Sequence, residues 1–157
     1  MTSLTPITSS QSRRRTTRKV AWLTAVLAVV ALGLGACTPE SNRATDLVNQ
    51  SRNAKGLPSL QVNIDLYLQA AAWSNQLAND QYLHHRTDLS VGIGYPWRVL
   101  GENVGRGYSI EQVHDAFMNS TAHRNNILDA RFDTVGVGVT RDGNGQYWIV
   151  QEFMDQR

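Results

Sequence analysis

Apolar residues return every three or four positions between residues 63 and 79, where Leu66, Ala70, Trp73 and Leu77 form one stripe behind a candidate cap, Asn63. That period predicts an amphipathic helix. A weaker stripe of Ala44, Leu47, Val48 and Ser51 predicts a helix over 42–55, capped by a serine or asparagine at its start and stopped at Gly56. Residues 57–60 read as an extended connection. From 81 to 100 the helical period is lost and Gly92, Gly94 and Pro96 enter, so this stretch reads as a long loop, a feature that is uncommon and often functional. Ser109 followed by Gln112 has the form of a capping box and opens a helix carrying Ile110, Val113 and Phe117. A short helix over 121–128 follows. Strict alternation over 134–140, the turn Asp142-Gly143-Asn144-Gly145 and the aromatic, β-branched run 147–153 predict a β-hairpin. With a short strand at Glu102, the sum is helices packed around a small antiparallel sheet, an α+β fold in three layers.

The first 40 residues differ from all that follow. Arg13, Arg14, Arg15, Arg18 and Lys19 precede every acidic residue, and residues 20–34 form an uncharged apolar run. A basic cluster followed by an apolar run and small residues is the order of an export signal. At fifteen residues the run is short of the roughly 20 that a spanning helix needs. Ser12-Arg13-Arg14 is followed by polar residues, which favours the general secretory route over a twin-arginine one. Beyond Cys37, ten basic residues face thirteen acidic ones, so the exported part carries a net charge near −3. It has no basic stripe, and nucleic acid is not an expected partner. Cys37 is the only cysteine, so the exported domain is held by core packing without disulfides.

The chemistry-bearing residues are few. Gly101-Glu102-Asn103-Val104-Gly105 sets one carboxylate in a run of small and apolar residues, and its available partners are His84-His85 and His123. Two imidazoles and a carboxylate form the ligand set of a catalytic zinc site with one position left for water. They serve equally as a hydrogen-bonded structural cluster, and no His-Glu-x-x-His is present to decide between the two. Ser120 stands three residues before His123, a spacing that suits a helix cap accepting from the amide of His123 or Arg124 better than a nucleophile. Asn103 is placed to orient a ligand from behind. Trp73, Trp97 and Trp148 read as core or cleft-wall aromatics, and His114 as a helix-packing or surface side chain. His84 is expected to face away from His85, and Glu152 to face outward.

Several ordered pieces of the chain resemble two known families. Leu34-Gly35-Ala36-Cys37 resembles the lipobox of bacterial lipoproteins, which implies a signal peptide over 1–36, a lipidated Cys37 and a short tether over 37–41. Residues 42–154 resemble the bacterial branch of the CAP superfamily, the SCP-like domain. The pieces are Asn49, Arg52, Gly56-Leu57-Pro58 and Leu60, then His85, Gly101-Glu102-Asn103 and Phe117-Met118-Asn119-Ser120. Ala122-His123-Arg124-Asn125-Asn126-Ile127-Leu128, the glycine-valine alternation of 135–139 and the closing run 147–153 complete them.

The resemblance implies an α-β-α sandwich over 42–157 with a central cleft, where two histidines and two acids form a tetrad able to hold a divalent cation, often zinc. Carried over by position, His85 and His123 are the histidines and Glu102 one acid, while Ser120 stands where eukaryotic members have the other. A bound metal would then have at most His85, Glu102 and His123, with weaker affinity for want of the fourth ligand. The expectation is a lipoprotein anchored through Cys37 on the outer face of the cytoplasmic membrane, extracellular, binding an unidentified envelope or lipid-like ligand in this cleft. A zinc-dependent extracellular hydrolase with Glu102 as the catalytic candidate, and a structural or adhesive surface protein, are the rivals.

Overall fold

The computed structural model describes residues 37–94 and 96–156. The expected export segment over 1–36 lies outside them. Among the described residues no helix is long and apolar enough to cross a membrane.

Helix α1 spans Pro39–Asn53 and is capped by Thr38, whose hydroxyl accepts the Ser41 amide at 3.1 Å. It begins three residues earlier than the apolar stripe predicts, so Pro39, Glu40 and Ser41 belong to the helix and not to a tether. Proline costs nothing at this first position, where its missing N–H would have no partner anyway. Strand β1, Gln61–Val62, follows the extended connection, and Asn63 then caps α2, Ile64–Asp80, by accepting the amides of Asp65 and Leu66. Strand β2, Val99–Gly107, ends the long loop. Helix α3, Ile110–Asn119, opens on the predicted box: Ser109 accepts the Gln112 amide at 3.1 Å. The Gln112 side chain takes the N–H of Tyr108 in return, one residue before the cap. Helix α4, Thr121–Ile127, and the strands β3, Thr134–Arg141, and β4, Tyr147–Asp155, complete the chain.

The strands lie in the order β1-β3-β4-β2. The three long strands are antiparallel, while the two-residue β1 joins β3 in parallel, so the sheet is antiparallel except at that edge. One face packs on α2, where Ala70, Leu77 and Ala78 meet Val104, Trp148 and Val150. On the other face Val135, Val137, Ile149 and Phe153 meet Ala44 and Val48 of α1, Val113 and Phe117 of α3 and Ile127 of α4. This is the expected three-layer arrangement. Burying each such side chain stabilises the fold by about 1.5–3 kcal/mol before the entropy of ordering is counted.

Two details of the sequence pattern have direct structural causes. The alternating glycines of β3 face α2, and a Cβ on Gly136 or Gly138 would sit 2.1 Å from the helix backbone at Leu66 or Ala70. Helix and sheet therefore touch main chain to main chain. At the hairpin, Asp142 accepts the amides of Asn144 and Gln146 at 2.9 Å each, and the indole N–H of Trp148 at 3.0 Å. These bonds, that to Trp148 foremost, hold its carboxyl down to about 2.

The opening motif also acquires a physical account. Asn49 clamps both backbone groups of Leu60. Arg52 is fully buried and donates to the carbonyls of Pro58, Ile127, Asp129 and Phe132, joining α1 to the segment between α4 and β3.

Candidate functional site

The candidate residues gather where β2 forms the outer edge of the sheet. Side chains alternate along a strand, so Glu102 and Val104 face the α2 side while Asn103 and Gly105 face α3 and α4. Glu102 is buried, and its Oε1 accepts from His85 Nδ1 at 2.6 Å and from the Arg86 amide at 3.2 Å. The His85 side chain is 58% exposed. The buried carboxylate thus fixes the ring of a solvent-facing imidazole, as short charge-assisted bonds do.

His123 is carried on α4, across the edge strand. Asn103 is completely buried and holds that helix to the sheet, donating to the His123 carbonyl at 3.1 Å and to Gln151 Oε1 at 3.0 Å. Its own Oδ1 accepts from Asn126, which also donates to the Glu102 carbonyl. Asn103 therefore positions the backbone of His123 from behind. The His123 ring packs edge to face on Phe117 at 5.0 Å. Burial holds its titration below the ordinary range, and the nearby His85 adds to that. A pocket of about 290 Å³ runs from Leu83 over Val104 and Gly105 to Phe117, Ser120 and His123.

The structure thus bonds Glu102 to His85 and carries His123 on α4, but does not gather all three around one point. Among the described residues no three of histidine, cysteine, aspartate and glutamate are placed to hold one ion. Glu102 Oε1 is already committed to His85. These residues do not fit the three-ligand zinc set expected from the sequence. Ser120 starts α4 with no side-chain cap bond, contrary to expectation: the Arg124 amide does reach residue 120, but binds its carbonyl at 2.9 Å. That is the ordinary first bond of the helix, made by the carbonyl of a cap residue whatever its side chain does.

Glu152 corrects a second expectation. It lies directly opposite Glu102 in the β2–β4 register and its side chain is 2% exposed. Alternation on an edge strand would have allowed it to face water, but β4 lies between β3 and β2 and is covered on both faces. Its Oε1 accepts from Arg86 Nη1 at 2.9 Å, and Arg86 also donates to Gln69 and to the Val91 carbonyl. Burial foremost, with the facing Glu102 adding, raises the Glu152 carboxyl to about 7 against the opposing pull of Arg86. The second oxygens of both acids are buried without partners.

Arg86 and Gln151 were given no role by the sequence reading, and the inward bonds of Asn126 and Glu152 were not expected. The one available signal was the adjacent polar pair Gln151-Glu152 inside an apolar run, since neighbours on a strand cannot both face water.

The remaining candidates are placed as expected, with one exception. His84 turns away from His85 towards α2, edge to face with Trp73 at 4.9 Å and stacked on Tyr82 at 5.6 Å. His114 is buried between α3 and α1, its Nε2 2.8 Å from Ser51 Oγ, and burial holds its titration low. Trp148 is wholly buried, whereas Trp97 is 43% exposed on the loop and is not a core residue.

Comparison with known proteins bears on the whole of this arrangement. The protein YkwD of Bacillus subtilis is 32% identical over 110 residues, covering 65% of this chain, which spans 43% of that relative's length. A solved extracellular protein containing an SCP domain from Bacillus anthracis superposes with a TM-score of 0.64 at 22% identity, over 78% of this chain and 45% of that one. An outer surface protein of Borrelia burgdorferi superposes with a TM-score of 0.65 at 17% identity, over 78% of this chain and 97% of that one. The two structures share the fold. Residues 45–153 match the model of the cysteine-rich secretory protein (CAP) family, and the chain belongs to that family.

Proposed function

We propose that this chain is an exported, membrane-anchored binding module that holds the acidic headgroup of a lipid-like envelope ligand at His85, with its apolar part in the pocket over β2. The single observation that carries the reading is the exposed imidazole of His85, held at 2.6 Å by the buried Glu102. Leu83, Val104, Val113 and Phe117 line the pocket over the same edge strand. An imidazole whose Nδ1 is tied to a carboxylate is held in one orientation, with its Nε2 turned outward as a hydrogen-bond donor to an anionic group.

Binding without turnover is supported by the surroundings of the histidines. Among the described residues no hydroxyl or thiol is hydrogen-bonded to His85 or His123, so no nucleophile is paired with a base there. Export is supported by the order of the first 37 residues. Two structural neighbours are described as an extracellular protein and an outer surface protein.

The test is equilibrium binding of a fluorescent long-chain fatty acid to residues 38–157, alongside ester and peptide hydrolysis assays. Saturable binding, weakened on the order of tenfold in His85→Ala, with no hydrolysis, is the expected result. Hydrolysis that disappears in Glu102→Ala would replace this reading with an enzymatic one.

A further inference from the structure

A second and larger recess lies on the α2 side, away from the pocket over β2. It measures about 580 Å³ and is walled by α2 and the start of the long loop, with Gln69, Trp73, Gln76, Asp80, His84 and Arg86 among its lining. That volume is in the range of small-molecule sites. It borders the cleft through Arg86, whose amide bonds Glu102, but neither His85 nor Glu102 is among its lining.

The chemistry of the walls constrains the ligand. Arg86 is neutralised by Glu152 at 2.9 Å and further occupied by Gln69 and the Val91 carbonyl. Asp80 accepts from the Gln76 amide at 2.9 Å on both oxygens and stands 3.7 Å from His84. Both ionic side chains already have partners, so a charged ligand would be desolvated for little return. What remains is a pair of rings, Trp73 and His84, set edge to face, beside flat polar groups that both donate and accept. Gln69 keeps a buried amide nitrogen that no group of the protein uses. Aromatic faces flanked by planar amides and carboxylates complement a ring that is apolar on its C–H face and carries hydroxyls around its rim. A fatty chain would leave the Gln69 nitrogen unpaired, which is costly.

We propose that this recess binds a neutral saccharide ring, independently of the ligand in the β2 cleft. The sugar stacks on one of these two rings with the other at its edge, and its hydroxyls bond to Gln69, Gln76 and Asp80.

The experiment is calorimetric titration of the full-length protein, in a detergent without a sugar headgroup, with the N-acetylglucosamine trimer and with cellotriose. Saturable binding of either, weakened on the order of tenfold in Trp73→Ala, supports the site. Because Trp73 packs partly on the core, Gln76→Ala, at an exposed position, provides a second variant expected to weaken binding without disturbing the fold. Absence of saturable binding by both sugars overturns the proposal. So does binding that survives both variants but is lost in His85→Ala, which would put the sugar in the cleft. The fatty-acid assay on the same preparation reports on the cleft separately, so failure of one reading leaves the other measurable.

Discussion

At the scale of single residues, Glu152 is the side chain whose environment departs furthest from water. An acid that titrates at about 7 in the fold and near 4.5 in the unfolded chain leaves the folded state holding more protons between those values. Its contribution is therefore favourable at low pH and is lost as pH rises from 4.5 through 7, by on the order of 3 kcal/mol at most. His114 and His123, both held low by burial, act with the opposite sign as pH rises through their own range. The informative quantity is thus the difference between wild type and Glu152→Gln, which keeps an acceptor for Arg86 but cannot ionise. Urea denaturation at pH 5 and pH 8 should show the variant gaining stability relative to wild type at the higher pH. Equal differences at both values would mean that Glu152 is ionised throughout.

At the scale of elements, the contact between α2 and β3 is the tightest in the molecule. Gly138→Ala would push a methyl group to 2.1 Å from the main chain of Ala70, where neither helix nor strand can yield locally. We expect a loss of at least about 3 kcal/mol, or failure to fold, because overpacking against backbone has no flexible side chain to absorb it. Gly143→Ala, at the hairpin turn with nothing within 4 Å, is the control and should stay within about 0.5 kcal/mol in the same thermal melts. Comparable losses at both positions would show that a general cost of replacing glycine, and not the approach of α2, sets the requirement. The hairpin itself depends on Asp142, whose four accepted hydrogen bonds also tie it to Gln81 at the end of α2.

At the scale of the whole molecule, the question is how the domain is held to the cell. Helix α1 begins at Pro39, so almost no slack separates Cys37 from the folded part. A lipid on Cys37 would keep α1 close to the bilayer surface, and Arg52 would carry that constraint through α1 to α4 and the strand that follows. If Cys37 is the lipidated residue, Cys37→Ser should move the protein from the membrane fraction to the medium of a bacterial expression host. It should also abolish incorporation of labelled palmitate. Retention of the variant in the membrane would assign anchoring to the apolar segment 20–34.

The period of apolar residues, the caps at Asn63 and Ser109 and the turn at Asp142 were enough to settle the helices, the hairpin and the α+β class, because each is written in neighbours a few positions apart. The bond between His85 and Glu102 was foreseeable for a related reason: a glycine-flanked acid in an apolar run has few partners to choose from. Only the tertiary structure decided that β4 is covered on both faces, which turns Glu152 inward and gives Arg86 its task. Burial on a sheet depends on which strands lie alongside, and the order β1-β3-β4-β2 is set by contacts between residues far apart in the chain. The same long-range packing sets Glu102 on the α2 side of the edge strand and His123 on α4, a placement that residue types and spacing do not encode.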